Sequence, residues 1–200
     1  MEKKPSNFLF NFIAPVYGLF YNSQKKHYSK SIDLLSKHIN INDYTSIIDI
    51  GCGTGAMCAA FDEKILSVTG VDPAIKMLNI GKRKKENKNI IFLECNTCEK
   101  IPFEDKQFDL SVASFVAHGI QPRERKILYA EMSRLSKHYV LYYDYNEKRS
   151  LLTSIIEWFE GGDYFNFIKT VKTELNDSFQ SVVEIKSAKR ASWYICKPYN

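Results

Sequence analysis

The residues with the clearest chemical content are Asp49, Gly51, Gly53 and Gly55, followed at a distance by Asp72. The first four end the apolar run Ser46-Ile47-Ile48, so they read as a strand closing in a glycine turn that opens a helix. Glycines let the backbone turn sharply and leave no side chain between the helix start and a ligand. Asp49, two residues before the first glycine, narrows the choice of ligand. It would oppose the diphosphate of a dinucleotide in a poorly screened pocket, and it would favour the ammonium and sulfonium of S-adenosylmethionine. Gly51, Gly53 and Ala56 also satisfy G-x-G-x-x-A, and this leaves an NAD-dependent oxidoreductase as a competing reading in which Asp49 has no role.

Asp72 ends a second β-rich run, Leu66 to Val71, at the distance where nucleotide folds place an acid on ribose hydroxyls. Its two oxygens can accept both hydroxyls, and Pro73 suits the first turn of the next helix.

The elements that must position these residues alternate. Strands are predicted at about 45–50, 66–71, 90–94, 108–114 and 138–144, with helices at about 54–62, 74–86 and 123–136. Ser23 would cap an earlier helix running to about Ile39. In the last helix of the series, opened by Pro122, the residues Ile127, Leu128, Met132 and Leu135 form an apolar stripe. Such alternation implies a parallel sheet covered on both faces. The tail differs: Phe179 to Lys186 and Ala191 to Lys197 read as a hairpin turning at Ser187 to Arg190. A helical insert lies between about 147 and 176, with Leu151 to Phe159, then Gly161-Gly162, then a second helix.

Five ordered segments carry a family resemblance. Ile47 to Gly55 resembles the first motif of class I S-adenosylmethionine-dependent methyltransferases, and Gly70-Val71-Asp72 through Met77-Leu78 resembles their second. Glu99 to Asp109 is similar to the segment leading into their fourth strand, and Ser114 to Ile120 to the segment just past that strand. Phe10 to Tyr17 resembles the opening of the methyltransferase type 11, ubiquinone/menaquinone-biosynthesis-like branch. The resemblance implies a Rossmann-like, doubly wound seven-stranded sheet of order 3-2-1-4-5-7-6, with strand 7 antiparallel and an N-terminal helical lid.

It also implies roles for particular residues. Asp49, Gly51, Cys52, Gly53 and Gly55 would hold the methionine end, Asp72 and Pro73 the ribose, and Ile75 or Met77 the adenine. Where the family usually has an acid against the adenine amine, this chain has Asn96, Thr97 and Cys98. Ser114 and Phe115 would lie near the methionine moiety, and Tyr17 or Tyr21 could close over its carboxylate or simply pack a lid with Phe8, Phe12 and Phe20. Gly18 stands where the family usually has Asp. His118 is a candidate base, and Asp144, in Tyr142-Tyr143-Asp144-Tyr145, a candidate acceptor contact; Tyr17 completes the catalytic candidates. Trp158, Phe159, Tyr164, Phe165 and Phe167 suggest an apolar or flat acceptor, or a packed core.

Two hundred residues with 44% hydrophobic content suit one domain with a substantial core. Its parts would be a lid and helix at 1–40, a cofactor-binding core at 41–145, a helical insert at 146–177 and a hairpin at 178–200. The net charge of +5 is modest, and Lys82 to Lys85 suits a helix C-terminus. No stretch approaches the ~18 apolar residues of a bilayer span. Lys3 and Lys4 before Phe8-Leu9-Phe10 mimic a leader, but Asn11 and Pro15 interrupt the run, so mature protein is expected there. The five cysteines suggest reduced thiols in a cytoplasm. No residue spacing supports a metal, and no basic stripe or Asp/Asn-Pro-Pro-aromatic run supports a nucleic-acid substrate. The expected activity is methyl transfer from S-adenosylmethionine, yielding S-adenosylhomocysteine, to a small-molecule acceptor. A non-catalytic cofactor-binding subunit is the further alternative.

Overall fold

Ile47, Ile48 and Ile50 have no solvent exposure, so the first strand is buried on both faces, as its unbroken apolar run requires. The computed structural model describes residues 7–148 and 163–199, with the side chains of residues 7–10 and 16 outside that description. Its order is α1 (Asn7–Leu35), β1 (Ser46–Ile50), α2 (Ala56–Asp62), β2 (Ser67–Asp72), α3 (Ile75–Lys82), β3 (Ile91–Glu94) and β4 (Phe108–Ser114). Then come α4 (Pro122–Leu135), β5 (Ser136–Tyr145), α5 (Tyr164–Ser178), β6 (Ser181–Lys186) and β7 (Ala191–Lys197). The seven strands follow the order β3-β2-β1-β4-β5-β7-β6. Strand β2 runs parallel to β1 and β3, β4 runs parallel to β5, and β7 is antiparallel to both β5 and β6. This is the expected order and the expected reversal.

The chain divides into two compact units, residues 1–97 and 98–200. In the first, α1 packs on α2 and α3, which lie on β2 and β3. The sequence-based start of α1 is corrected: the helix begins at Asn7, passes through Pro15 and the exposed Ser23, and ends at Leu35. Tertiary packing overrides the local signals, because Ala14, Tyr21, Ile32 and Leu35 form one fully buried stripe. Pro15 sits on the outward side, where its ring and missing N–H disturb packing least. Lys82 ends α3 as the helix dipole favours.

In the second unit, α4 packs on β4, β5 and α5. Pro122 opens it, and the Glu124 carboxylate accepts the Gln121 N–H at 2.8 Å, closing its first turn. Ile127 is 41% exposed and leaves the expected stripe, while Arg125, Tyr129 and Glu131 are buried on that helix. Arg134 donates to the carbonyls of Phe103 at 2.8 Å and Ile101 at 3.0 Å, and Glu131 accepts the Ile101 N–H at 2.7 Å. The Lys-Ile-Pro-Phe segment is thereby tied to α4. The hairpin forms as expected, and α5 is the second helix of the insert; Leu151 to Phe159, with Trp158, and Gly161-Gly162 lie outside the described residues.

Candidate functional site

Local conformation at the glycine turn follows directly from residue type. Gly51, Gly53 and Gly55 have φ of 78°, 55° and 77°, a region that side-chain-bearing residues enter at a cost. Their surroundings differ. A Cβ on Gly55 would stand 2.6 Å from the Phe92 ring, so this glycine permits close packing. A Cβ on Gly53 would meet nothing within 4 Å, so the turn faces open space there.

The turn uses its own donors. The N–H groups of Gly51 and Cys52 both donate to the Val71 carbonyl, at 2.8 and 3.0 Å, and that of Gly55 donates to the Cys52 carbonyl at 2.9 Å. The Gly53 N–H donates to Asp72 Oδ2 at 2.8 Å, while Asp72 Oδ1 accepts the Ala74 N–H at 2.7 Å. Asp72 thus brackets the turn and the start of α3, and each oxygen keeps acceptor capacity for a hydroxyl. Burial pushes its carboxyl above the usual range, against the pull of the two N–H donors. The amides of Gly51, Cys52 and Gly53 are thus spent within the fold. A diphosphate needs amide donors, and here those of Gly51, Cys52, Gly53 and Gly55 are engaged.

Asp49 lies beneath the turn with no exposure. Cys58 Sγ donates to its Oδ2 at 3.2 Å, and Oδ1 has no partner among the described residues. Burial pushes the carboxyl up to about 7; the Cys58 contact lowers it and nearby Asp72 raises it. A buried acceptor without a donor is costly, and a cation nearby would relieve it. Cys52 turns its thiol inward, because a Cβ on Gly70 would stand 2.8 Å from Cys52 Sγ and 2.9 Å from Cys58 Sγ. Burial raises the Cys52 thiol to about 11, which keeps it neutral. Among the five cysteines, none forms a disulfide.

Other residues of the first unit scatter in role. Pro73 is half-buried at the head of α3. Met77 packs with Ala14 and Ala74, so it belongs to the core, whereas Ile75 is half-buried. Tyr17 is 36% exposed. Tyr21 is fully buried, and its hydroxyl donates to Asn87 Oδ1 at 2.6 Å. Asn87 Nδ2 in turn donates to the Gly81 carbonyl at 2.9 Å, and a Cβ on Gly81 would strike the Thr54 carbonyl at 2.7 Å. Tyr21 therefore supports the turn from behind and has no hydroxyl to offer a ligand. Asn96 is exposed, Thr97 buried and Cys98 half-buried.

The second unit brings together two residues chosen separately from the sequence. His118 Nδ1 lies 2.7 Å from Asp144 Oδ1. Asp144, near the end of β5, also accepts the N–H of Tyr145 at 2.7 Å on Oδ1 and that of Ala117 at 3.1 Å on Oδ2. Both side chains are buried. Tyr145 stands 4.8 Å from the imidazole, ring centre to ring centre, with Tyr164 and Phe167 each at 6.4 Å. Ser114, half-buried, ends β4. Phe115 follows with φ of 52°, its N–H on the Tyr143 carbonyl at 2.9 Å and its ring 5.1 Å from Tyr145. A phenylalanine held in the left-handed region is strained, and such strain gathers at functional sites.

Sequence reasoning missed the brace behind this cluster. Arg125, with no exposure, donates from Nε and Nη2 to both oxygens of Glu174, each at 2.7 Å. Its Nη1 donates to the Ile120 carbonyl at 2.7 Å and to Asp163 Oδ2 at 3.0 Å. The signal was available: an arginine at an inward position of α4 needs an acid, and α5 supplies Glu174. Among the described residues no group of three His, Cys, Asp or Glu could hold a metal.

Comparison with known proteins fits this geometry. A methyltransferase-domain family model matches residues 47–138, spanning the glycine turn, Asp72 and α4. Over this span the chain resembles the class I S-adenosylmethionine-dependent methyltransferases. It is 30% identical over 141 residues to the ubiquinone/menaquinone biosynthesis C-methyltransferase of Citrifermentans bemidjiense, covering 65% of this chain and 57% of that protein. It is 24% identical over 179 residues to an uncharacterized methyltransferase of Staphylococcus carnosus, covering 86% of this chain and 84% of that one. The chain thus spans 57% of the length of the first of these curated relatives. A solved structure from Methanococcus maripaludis, described as a candidate S-adenosyl-L-methionine-dependent methyltransferase, matches with a TM-score of 0.72 at 18% identity. It covers all of this chain and 97% of that one, and it shares the fold.

The methyltransferase cofactor fits the residues present. It brings an ammonium and a sulfonium, for which the partnerless Asp49 oxygen and the open space at Gly53 are suited, and two ribose hydroxyls, for which Asp72 retains acceptor capacity. Neither the oxidoreductase nor the non-catalytic alternative gains a supporting observation.

Proposed function

We propose that this protein transfers the methyl group of S-adenosylmethionine to a small apolar or aromatic acceptor, by direct displacement, in the cytoplasm. The observation that carries the proposal is the glycine turn, whose Gly51, Cys52, Gly53 and Gly55 amides bond within the fold above a buried carboxylate oxygen without a donor. Asp49, Gly51, Gly53, Gly55 and Asp72 are assigned to the cofactor. Pro73, Ile75, Asn96, Thr97 and Cys98 are assigned to its nucleoside side, where an Asn or Thr oxygen stands in for the family's usual acid. Ser114, Phe115 and Tyr17 are assigned to the methionine end.

The bound cofactor supplies an electrophilic methyl group on a positively charged sulfur. The chain itself must orient the acceptor, exclude water and, where the acceptor atom carries a proton, remove it. His118 is suited to that last task. In this role Nδ1–H is donated to Asp144, Nε2 takes the proton from the acceptor, and Asp144 stabilises the imidazolium that forms. Aromatic rings from Phe115, Tyr145, Tyr164 and Phe167 around the imidazole favour a flat apolar acceptor. Ser114-Phe115-Val116-Ala117 in place of a Pro-Pro-aromatic run argues for a small molecule over a nucleic acid.

Calorimetry with S-adenosylhomocysteine and NAD tests the cofactor, and labelled methyl transfer to a panel of phenols, quinols and enolisable ketones tests the acceptor. Quinols lead the panel because a similar relative is a quinone-pathway C-methyltransferase. Uptake of S-adenosylhomocysteine but not NAD is expected; the reverse would overturn the proposal.

A further inference from the structure

We propose that the outward face of α1 docks this protein on an anionic lipid bilayer surface. Phe12 is 76% exposed, Leu19 83% and Phe20 58%, an unusual display of large apolar side chains on one helix. At about 100° per residue these three lie within roughly 100° of one another, and Lys26 and Lys30, both exposed, continue the same stripe. The helix therefore presents an apolar patch followed by cations along one line, about 27 Å from residue 12 to residue 30.

The fold decides which way this stripe points. Asn11 Oδ1 accepts the Lys76 N–H at 2.9 Å, capping α3 from the neighbouring helix. Ala14 is buried against Ala74 and Met77, and a Cβ on Gly18 would lie 3.2 Å from Ile80. Tyr21 is anchored to Asn87. With that face engaged, Phe12, Leu19, Phe20, Lys26 and Lys30 are turned to solvent.

Charge selects the occupant. The helix has a single acid, Asp33, and it is paired with Lys64 at 2.9 Å. Lys26 and Lys30 form no ion pair among the described residues, whereas Lys25, turned inward, is paired with Glu63 at 2.9 Å. An anionic bilayer offers acyl chains to the apolar residues and headgroup phosphates to the lysines in one plane. Among the described residues no helix is long and apolar enough to cross a membrane, so the contact is a surface one.

The test is cosedimentation of the full chain with vesicles of phosphatidylglycerol and phosphatidylcholine, or of phosphatidylcholine alone. Retention on the anionic vesicles is expected, weakening with salt, and falling at least tenfold in Leu19→Glu and in the double variant Lys26→Glu, Lys30→Glu. Phe12→Ser with Phe20→Ser supplies the same reading should Leu19→Glu prove unstable. Absence of binding, or equal retention of the variants, would overturn the proposal. So would a dimer in sedimentation equilibrium that Leu19→Glu dissociates, because the face would then belong to a second copy. None of these readouts depends on methyl transfer, so their failure leaves the proposed activity untouched.

Discussion

The two units solve opposite electrostatic problems. In residues 1–97 the polar chemistry is left incomplete: Asp49 is buried with one oxygen unmatched, and the glycine turn stands open at Gly53. In residues 98–200 two buried ionic side chains are matched by partners, with Asp144 holding His118 and Arg125 holding Glu174 and Asp163. An incomplete site awaits a charged partner, whereas a complete one fixes geometry. The first unit thus resembles a receptor and the second a rigid frame.

The largest effect expected from breaking this contrast is in the frame. Arg125→Met removes a fully buried cation and strands two part-buried acids, and loss of one partner of a buried pair costs about 3–5 kcal/mol. Thermal unfolding should fall by roughly 10 °C or more. Burial raises the Glu174 carboxyl, but the Arg125 contacts win and hold it below its usual value. A group with a lowered folded value stabilises at neutral pH and loses that contribution on acidification, so the wild type should lose stability below about pH 4 and the variant less.

The receptor should behave in the opposite sense. Asp49 keeps its proton in the fold up to about 7, while the unfolded chain releases it near the ordinary carboxylate value. Stability should therefore fall as pH rises from about 4 to 7, by at most ~4 kcal/mol, and level off above. Asp49→Asn should flatten that profile and raise the melting temperature at pH 8, while weakening S-adenosylhomocysteine binding at least tenfold by calorimetry. In the wild type, that binding should tighten from pH 6 to 8, because the cation requires the ionised form.

His118→Gln separates chemistry from holding. For an acceptor that must lose a proton, turnover should drop about 100-fold, with loss of the acidic limb of the rate profile and cofactor affinity unchanged. Unaltered turnover would make His118 a strut for the Ala117–Gly119 turn. The smallest effects distinguish two glycines. Gly55→Ala should cost stability of about 2 kcal/mol, from its φ and the Phe92 contact. Gly53→Ala, with room for its methyl, should cost about 1 kcal/mol in melting and more in cofactor affinity.

Much of the first unit is legible in the chain because its signals are local. Asp49, the three glycines and Asp72 lie in two short segments, each a strand running into a turn, and neighbours along the backbone need no tertiary knowledge to be placed. Alternation gives a parallel sheet and the tail a hairpin, whereas strand order and the reversed β7 come only from the family resemblance. The start of α1 is not legible, because Ser23 is a fair cap in isolation and only contacts with α3 extend the helix back through Pro15. Met77 and Ile127 fall on the wrong sides for the same reason: helical spacing gives a stripe but not the neighbour that covers it.

What the sequence alone determined is the glycine turn, its flanking acid and the alternation that places them, all of which depend on backbone preferences over a few residues. Only the tertiary structure decided that Asp49 Oδ1 would lack a donor and that the Gly51, Cys52 and Gly53 amides would be spent on Val71 and Asp72. It alone joined His118 to Asp144 across 26 positions and Arg125 to Glu174 across 49. Such pairings depend on burial and on distances set by packing, and no spacing along the chain encodes them.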